Sequence, residues 1–99
     1  MPQNPIAVQA FSGINTKYNI SAATVVKATA GQLVTISVIT AGSTVGTAND
    51  SATTAGAAIG NQIAAIPNTA GSIQLVNWKC ANGITIVPGT GQVIAVSYN

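Results

Sequence analysis

The sequence contains no histidine, no glutamate and no arginine. Its whole charge inventory is Lys17, Lys27, Lys79 and Asp50, which is 4% of the 99 residues. A typical soluble domain carries roughly 25%. Acid–base catalysis ordinarily draws on histidine or on a pair of carboxylates, and Asp50 has no acidic partner. One Asp, one Cys and no His do not make up a conventional metal-ligand set. The stretch Gly89 to Gln92 resembles a phosphate loop only superficially, because it lacks the lysine and falls between strands rather than before a helix. The expectation is a protein that is not an enzyme and holds no cofactor and no metal.

Other scarcities exclude other classes. Three lysines spread from position 17 to position 79 form no basic stripe, so nucleic acid is not an expected partner. Cys80 is the single cysteine and has no internal disulfide partner. With no His or second Cys to activate it, it reads as a small buried hydrophobe rather than a reactive thiol. No apolar run approaches the ~20 residues that a helix needs to cross a bilayer. The start of the sequence, MPQNPIAVQAF, shows neither a basic leader nor a hydrophobic segment, so no cleaved signal is expected. Low charge does not imply disorder here. Disordered chains combine low hydrophobicity with high net charge, whereas 47% of these residues are hydrophobic.

What the chain does contain is strand after strand. Thr24 to Ala30 is rich in β-branched residues. In Gln32 to Thr40, Val34, Ile36 and Val38 form one wholly apolar face, the expected core face. Leu33, Thr35, Ser37 and Ile39 form the other. A short strand near Val45 to Ala48 leads into a Gly-, Ala- and Thr-rich loop. Asn61 to Ile66 reads as a strand stopped by Pro67. Ser72 to Ala81 follows, with Gln74, Val76, Trp78 and Cys80 on one face. Asn82-Gly83 is a strong hairpin signal, and Pro88-Gly89 marks another turn. Residues 72–98 therefore read as a three-stranded meander. Turns recur at the spacing of all-β sandwiches and barrels. The expected fold is all-β and one domain over residues 1–99. Its form is a compact jelly-roll-like sandwich or small barrel of about seven to eight short strands, with residues 1–16 an extended N-terminal arm. Val34, Ile36, Val38, Ile84, Ile86, Ile94 and Val96 are the expected core.

Three aromatic residues are candidates for binding. Trp78 would serve as a sugar-stacking platform or an interface anchor, although its face of the strand favours core packing. Tyr18 and Tyr98 fit either a subunit contact or the rim of the core. The neutrality of the chain points the same way. Free monomers usually keep charges on their surface for solubility, and strand edges usually carry lysine guards. A chain lacking both is expected to cover much of its surface in an assembly.

The segments VVKATAGQLVTISVITAG and IPNTAGSIQLVNWKCANGITIVPGTGQVIAVSY carry a recognisable pattern. It ends in Asn-Trp-x-Cys-x-x-Gly-Ile and then Pro-Gly-x-Gly-Gln before an apolar strand. Over about residues 24–98 the chain resembles small virion structural proteins of tailed bacteriophages, of the head decoration or cement type. The resemblance implies a β module on the capsid surface, made in the host cytoplasm. Its partners would be the major capsid protein and copies of itself, as a trimer in preference to a dimer. It carries over no catalytic residue. The alternative it leaves open is a carbohydrate- or receptor-binding β module of a phage fibre.

Overall fold

The computed structural model describes residues 15–99. It holds eight strands: β1 Asn15–Ile20, β2 Thr24–Lys27, β3 Gly31–Thr40, β4 Gly46–Asn49, β5 Gln62–Ile66, β6 Ile73–Cys80, β7 Ile84–Val87 and β8 Val93–Tyr98. The Gly-rich stretch between β4 and β5 is a loop, as expected, with one 3₁₀ turn at Ile59–Asn61. The N-terminal arm expected over 1–16 lies outside the described residues, except that Asn15 and Thr16 open β1.

The strands form two antiparallel sheets, β1-β8-β3-β6 and β2-β7-β4-β5. Four of the pairings nest inside one another: β4 with β5, β3 with β6, β2 with β7, and β1 with β8. This is one long hairpin, folded at the 50–61 loop and rolled so that β3–β8 and β4–β7 contacts complete the sheets. The expected all-β sandwich is therefore present, and its strand order is that of an eight-stranded jelly roll.

The seven residues expected in the core are all buried, from Ile36, Ile84, Ile86 and Ile94 at 0% exposure to Val34 at 5%. Leu33 corrects the face assignment. It belongs to the core cluster with Ile36 and Val38, although its parity placed it on the opposite face. The register shifts between Leu33 and Thr35 against both β6 and β8. The extra residue reverses the in–out alternation at that point.

The meander expected over 72–98 is also corrected. β6 and β8 lie in one sheet and β7 in the other, so no two of them pair. Asn82 and Gly83 are not in the left-handed region that a two-residue hairpin turn needs. They cross from one sheet to the other. Gly83 is required for a different reason: a Cβ there would lie 2.6 Å from the Lys27 carbonyl oxygen and 2.7 Å from that of Ser51. In the 88–92 connection the positive φ falls at Gly91 (77°), not at Gly89.

At one end of the sandwich the loops 41–45, 67–72 and 88–92 are tied together. The amide of Gln92, wholly buried, donates to the Pro67 carbonyl at 2.9 Å and accepts from Gly89 N–H at 2.9 Å. Ser43 N–H donates to the Thr90 carbonyl and Thr90 N–H to Thr44 Oγ1, both at 2.8 Å. The Asn68 amide both accepts from and donates to the backbone of Gly42 at 2.6 Å. These bonds satisfy buried polar groups that would otherwise be costly.

Candidate interaction site

Strand β6 forms one edge of its sheet. Ile73 and Leu75 oppose Ser37 and Thr35 on the outward face, and both are exposed, at 70% and 74%. Ile39, next along the same face of β3, is also exposed. Gln74 and Val76 point the other way, and Val76 packs against the core. Over Ile73 to Val76 the alternation is thus inverted relative to need: the outer face is the more apolar one. Exposed apolar residues are ordinary when scattered. Here they form a row along an unpaired edge, the arrangement that natural sheets usually avoid.

Trp78, on the same strand, corrects the expectation of core packing. It is 54% exposed. Three steps on β6, Leu75 to Trp78, face two on β3, Thr35 to Leu33, and Asn77 takes φ 54°. The bulge keeps Trp78 opposite the core residue Leu33, on the same side of the sheet as Cys80, and leaves it exposed at the edge of the sandwich. Gln32 Nε2 donates to Asn77 Oδ1 at 3.3 Å, holding the bulge on its sequence-distant neighbour.

The other two candidates are not brought into one site with Trp78. Tyr98 is half-buried against the core and shares Leu33 as cross-strand neighbour with Trp78. Tyr18 is 72% exposed on β1, at the opposite edge of the sheet, beside a depression of about 510 Å³.

Three of the four charged residues, Lys27, Asp50 and Lys79, line a cleft of about 520 Å³ at the opposite end from the tied loops, with Gln32, Cys80 and Asn99. This gathering is not legible in the sequence, because the residues come from β2, a loop and β6. Each has a local structural task where its contacts are defined. Lys27 Nζ donates to the Asn99 carbonyl at 3.2 Å. The Asp50 carboxylate accepts from the backbone N–H groups of Ala81, Asn82 and Gly83 at 3.1, 2.8 and 3.3 Å, fixing the crossover between the sheets. Cys80 is buried, and burial followed by the nearby Asp50 charge pushes its thiol pKa up, away from the thiolate. Among the described residues there is no group of three or more His, Cys, Asp or Glu that would hold a metal. Nor is any helix there long and apolar enough to cross a membrane.

The Asn82 N–H, with smaller help from Ala81 and Gly83, holds the Asp50 carboxyl below its ordinary pKa against the opposing effect of desolvation. A depressed folded-state pKa means that the stabilisation is complete above the unfolded value, near 3.9, and is lost as pH falls through the lower folded value. Asp50 is the sole acidic side chain and histidine is absent. Stability should therefore be nearly flat between about pH 5 and 8 and fall in acid. Asp50→Ala should cost about 1–2 kcal/mol at neutral pH, and the gap to the parent should narrow toward pH 2. Thermal melts across that range measure both. A gap that stays constant into acid would show that the carboxylate charge contributes nothing.

The polar loops between residues 40 and 62 spend their side chains internally. Asn49 Nδ2 donates to Ala58 O and Asn61 Oδ1, Asn61 Nδ2 to Gly56 O, and Thr47 Oγ1 to Asn49 Oδ1. They order the 50–61 loop. Compared with known proteins, the chain matches no family model, no curated protein and no solved structure.

Proposed function

We propose that the chain is a non-enzymatic structural protein of a bacteriophage virion, which decorates or cements the capsid surface as a homo-oligomer. Its partners are the major capsid protein and its own copies, and a trimer is favoured over a dimer. The observation that carries this reading is the exposure of three large apolar side chains, Ile73, Leu75 and Trp78, on the edge strand β6, in a chain with only four charged residues. A surface of that kind gains by being covered, and repeated weak contacts on a shell sum to tight attachment. Jelly rolls serve both viral capsids and lectins, so the fold by itself does not choose between structural and sugar-binding roles.

The exposure of Trp78 favours one second reading, a carbohydrate- or receptor-binding module of a phage fibre, since an exposed indole is a stacking surface for a sugar. Against it stands the internal use of the Asn and Thr side chains in and around the 50–61 loop. A titration of Trp78 fluorescence with a glycan panel separates the two: saturable quenching supports the fibre module, and indifference supports assembly.

Leu75→Lys tests the first reading. Leu75 is 74% exposed, so the monomer should melt within about 0.5 kcal/mol of the parent. Its self-association and its occupancy on purified shells should drop at least tenfold, because a lysine buried in the contact would have no partner. If the parent protein is a stable monomer with no affinity for shells, the structural reading fails.

A further inference from the structure

We propose that residues 5–11 of one copy, Pro-Ile-Ala-Val-Gln-Ala-Phe, add as a strand to the open edge of β6 in a neighbouring copy. The inference rests on the self-assembly reading above and names the segment that covers the edge.

The edge is suited to receive a strand. From Ile73 to Val76 it carries no charge and no proline, and its devices against pairing, the bulge at Asn77 and Lys79, come only at its far end. The opposite edge of the same sheet is better guarded. There β1 has Lys17 in mid-strand and a break in register before Ile20, with Asn19 at φ 56°. The seam between β6 and β5 is bridged by Gln74 Nε2 donating to the Ala65 carbonyl at 3.2 Å. The Oε1 of the same side chain is buried and meets no donor.

The occupant is indicated by sequence and by reach. From Ile6 to Phe11 there is no proline, so every backbone N–H can donate. The segment is uncharged and alternates Ile6, Val8, Ala10 with Ala7, Gln9, Phe11. Strand addition draws affinity from main-chain hydrogen bonds and specificity from alternate side chains, and one parity of this segment would extend the Ile73–Leu75 row. A chain's own segment cannot reach. It joins the fold at Asn15, on β1, paired with Tyr98. The outer side of β6 lies four strand spacings away, about 19 Å. The span from residue 11 to residue 15 covers at most about 14 Å. The segment that fits is therefore the one from another copy.

Val8→Pro in the full chain tests this. It removes the N–H in the middle of the added strand and lies outside the sequence ranges of the eight strands, so the melting transition of the domain should be unchanged. Self-association should fall at least tenfold by sedimentation. The β6 amides 73–77, protected from hydrogen exchange in the assembled parent, should exchange at least tenfold faster in the variant. Val8→Thr, which keeps the N–H, should restore both. Three outcomes overturn the proposal. If Val8→Pro assembles like the parent while Leu75→Lys does not, the β6 face assembles without the segment, and the proposed function survives. If protection lies on the β1 amides 15–18 instead, the segment folds back through Ser12-Gly13 onto its own β1. If neither substitution changes association, the β6 edge is no interface, and the reading on which the inference rests falls with it.

Discussion

A chain ending at Gly91 should show no cooperative unfolding transition. The missing strand β8 lies in the interior of its sheet, between β1 and β3. Its loss removes Ile94 and Val96, both at most 2% exposed, together with the partly buried Tyr98 and the wholly buried Gln92. Each fully buried Ile or Val contributes about 1.5–3 kcal/mol. A domain of this size has only about 5–15 kcal/mol in total. The loss also reaches further than those side chains. Among the described strands β1 has no sheet neighbour except β8, so it would be detached, and β3 would lose one of its two partners. Circular dichroism melts and hydrogen exchange check the outcome. Retention of a sharp transition by the shortened chain would mean that a sheet of β3 and β6 against the other four strands suffices, contrary to the architecture described.

Gly89→Ala should be nearly as damaging, with an expected cost of about 3 kcal/mol or more, above the usual range for overpacking because the obstacle is backbone. Gly89 is buried, and a Cβ there would overlap the carbonyl group of Thr44 in the adjoining loop. That carbonyl cannot move alone, since Thr44 Oγ1 holds Thr90 N–H and Ser43 N–H holds the Thr90 carbonyl. Thr90→Ala is the matched control. The contacts of Thr90 are made by its backbone and its side chain is exposed, so its melting temperature should move little. A Gly89→Ala protein as stable as Thr90→Ala would show that the two loops do not meet as described.

The strands were legible from alternation, and so was the core. Ile36, Val38, Ile84, Ile86, Ile94 and Val96 sit in apolar runs bounded by turn residues, and burial follows from that pattern whatever the topology. Pairing was not legible. Asn82-Gly83 and Pro88-Gly89 have the chemistry of hairpin turns, but turn chemistry acts over four residues, while the sheets are decided by the approach of strands far apart in sequence. The exposure of Trp78 was hidden for a related reason: alternation assigns a side chain to a face, but only the pairing of remote strands puts β6 at the edge of the sheet, where that face is incompletely covered. The tasks of Asp50 and Gln92 were equally hidden. A lone carboxylate and a lone amide signal a need for partners, and only the fold supplies them. One sign was available for Gln92, a polar residue placed directly before the apolar run of the last strand.

The nesting of the strand pairs also orders events in time. Among the described strands only β4 and β5 are neighbours both in sequence and in a sheet. Every other ladder closes a longer loop than the one inside it, and chain entropy must be surrendered before each is rewarded. Refolding should therefore be slow for a chain this short, in the millisecond-to-second range of domains dominated by remote pairings. The β4–β5 turn is the cheapest place to begin. The outermost ladder, β1 with β8, closes the longest loop, and until β8 docks, the backbone edge of β3 that it pairs with stays open. Crowded nascent chains would be prone to misassociate in that interval, and dilution should raise the refolding yield.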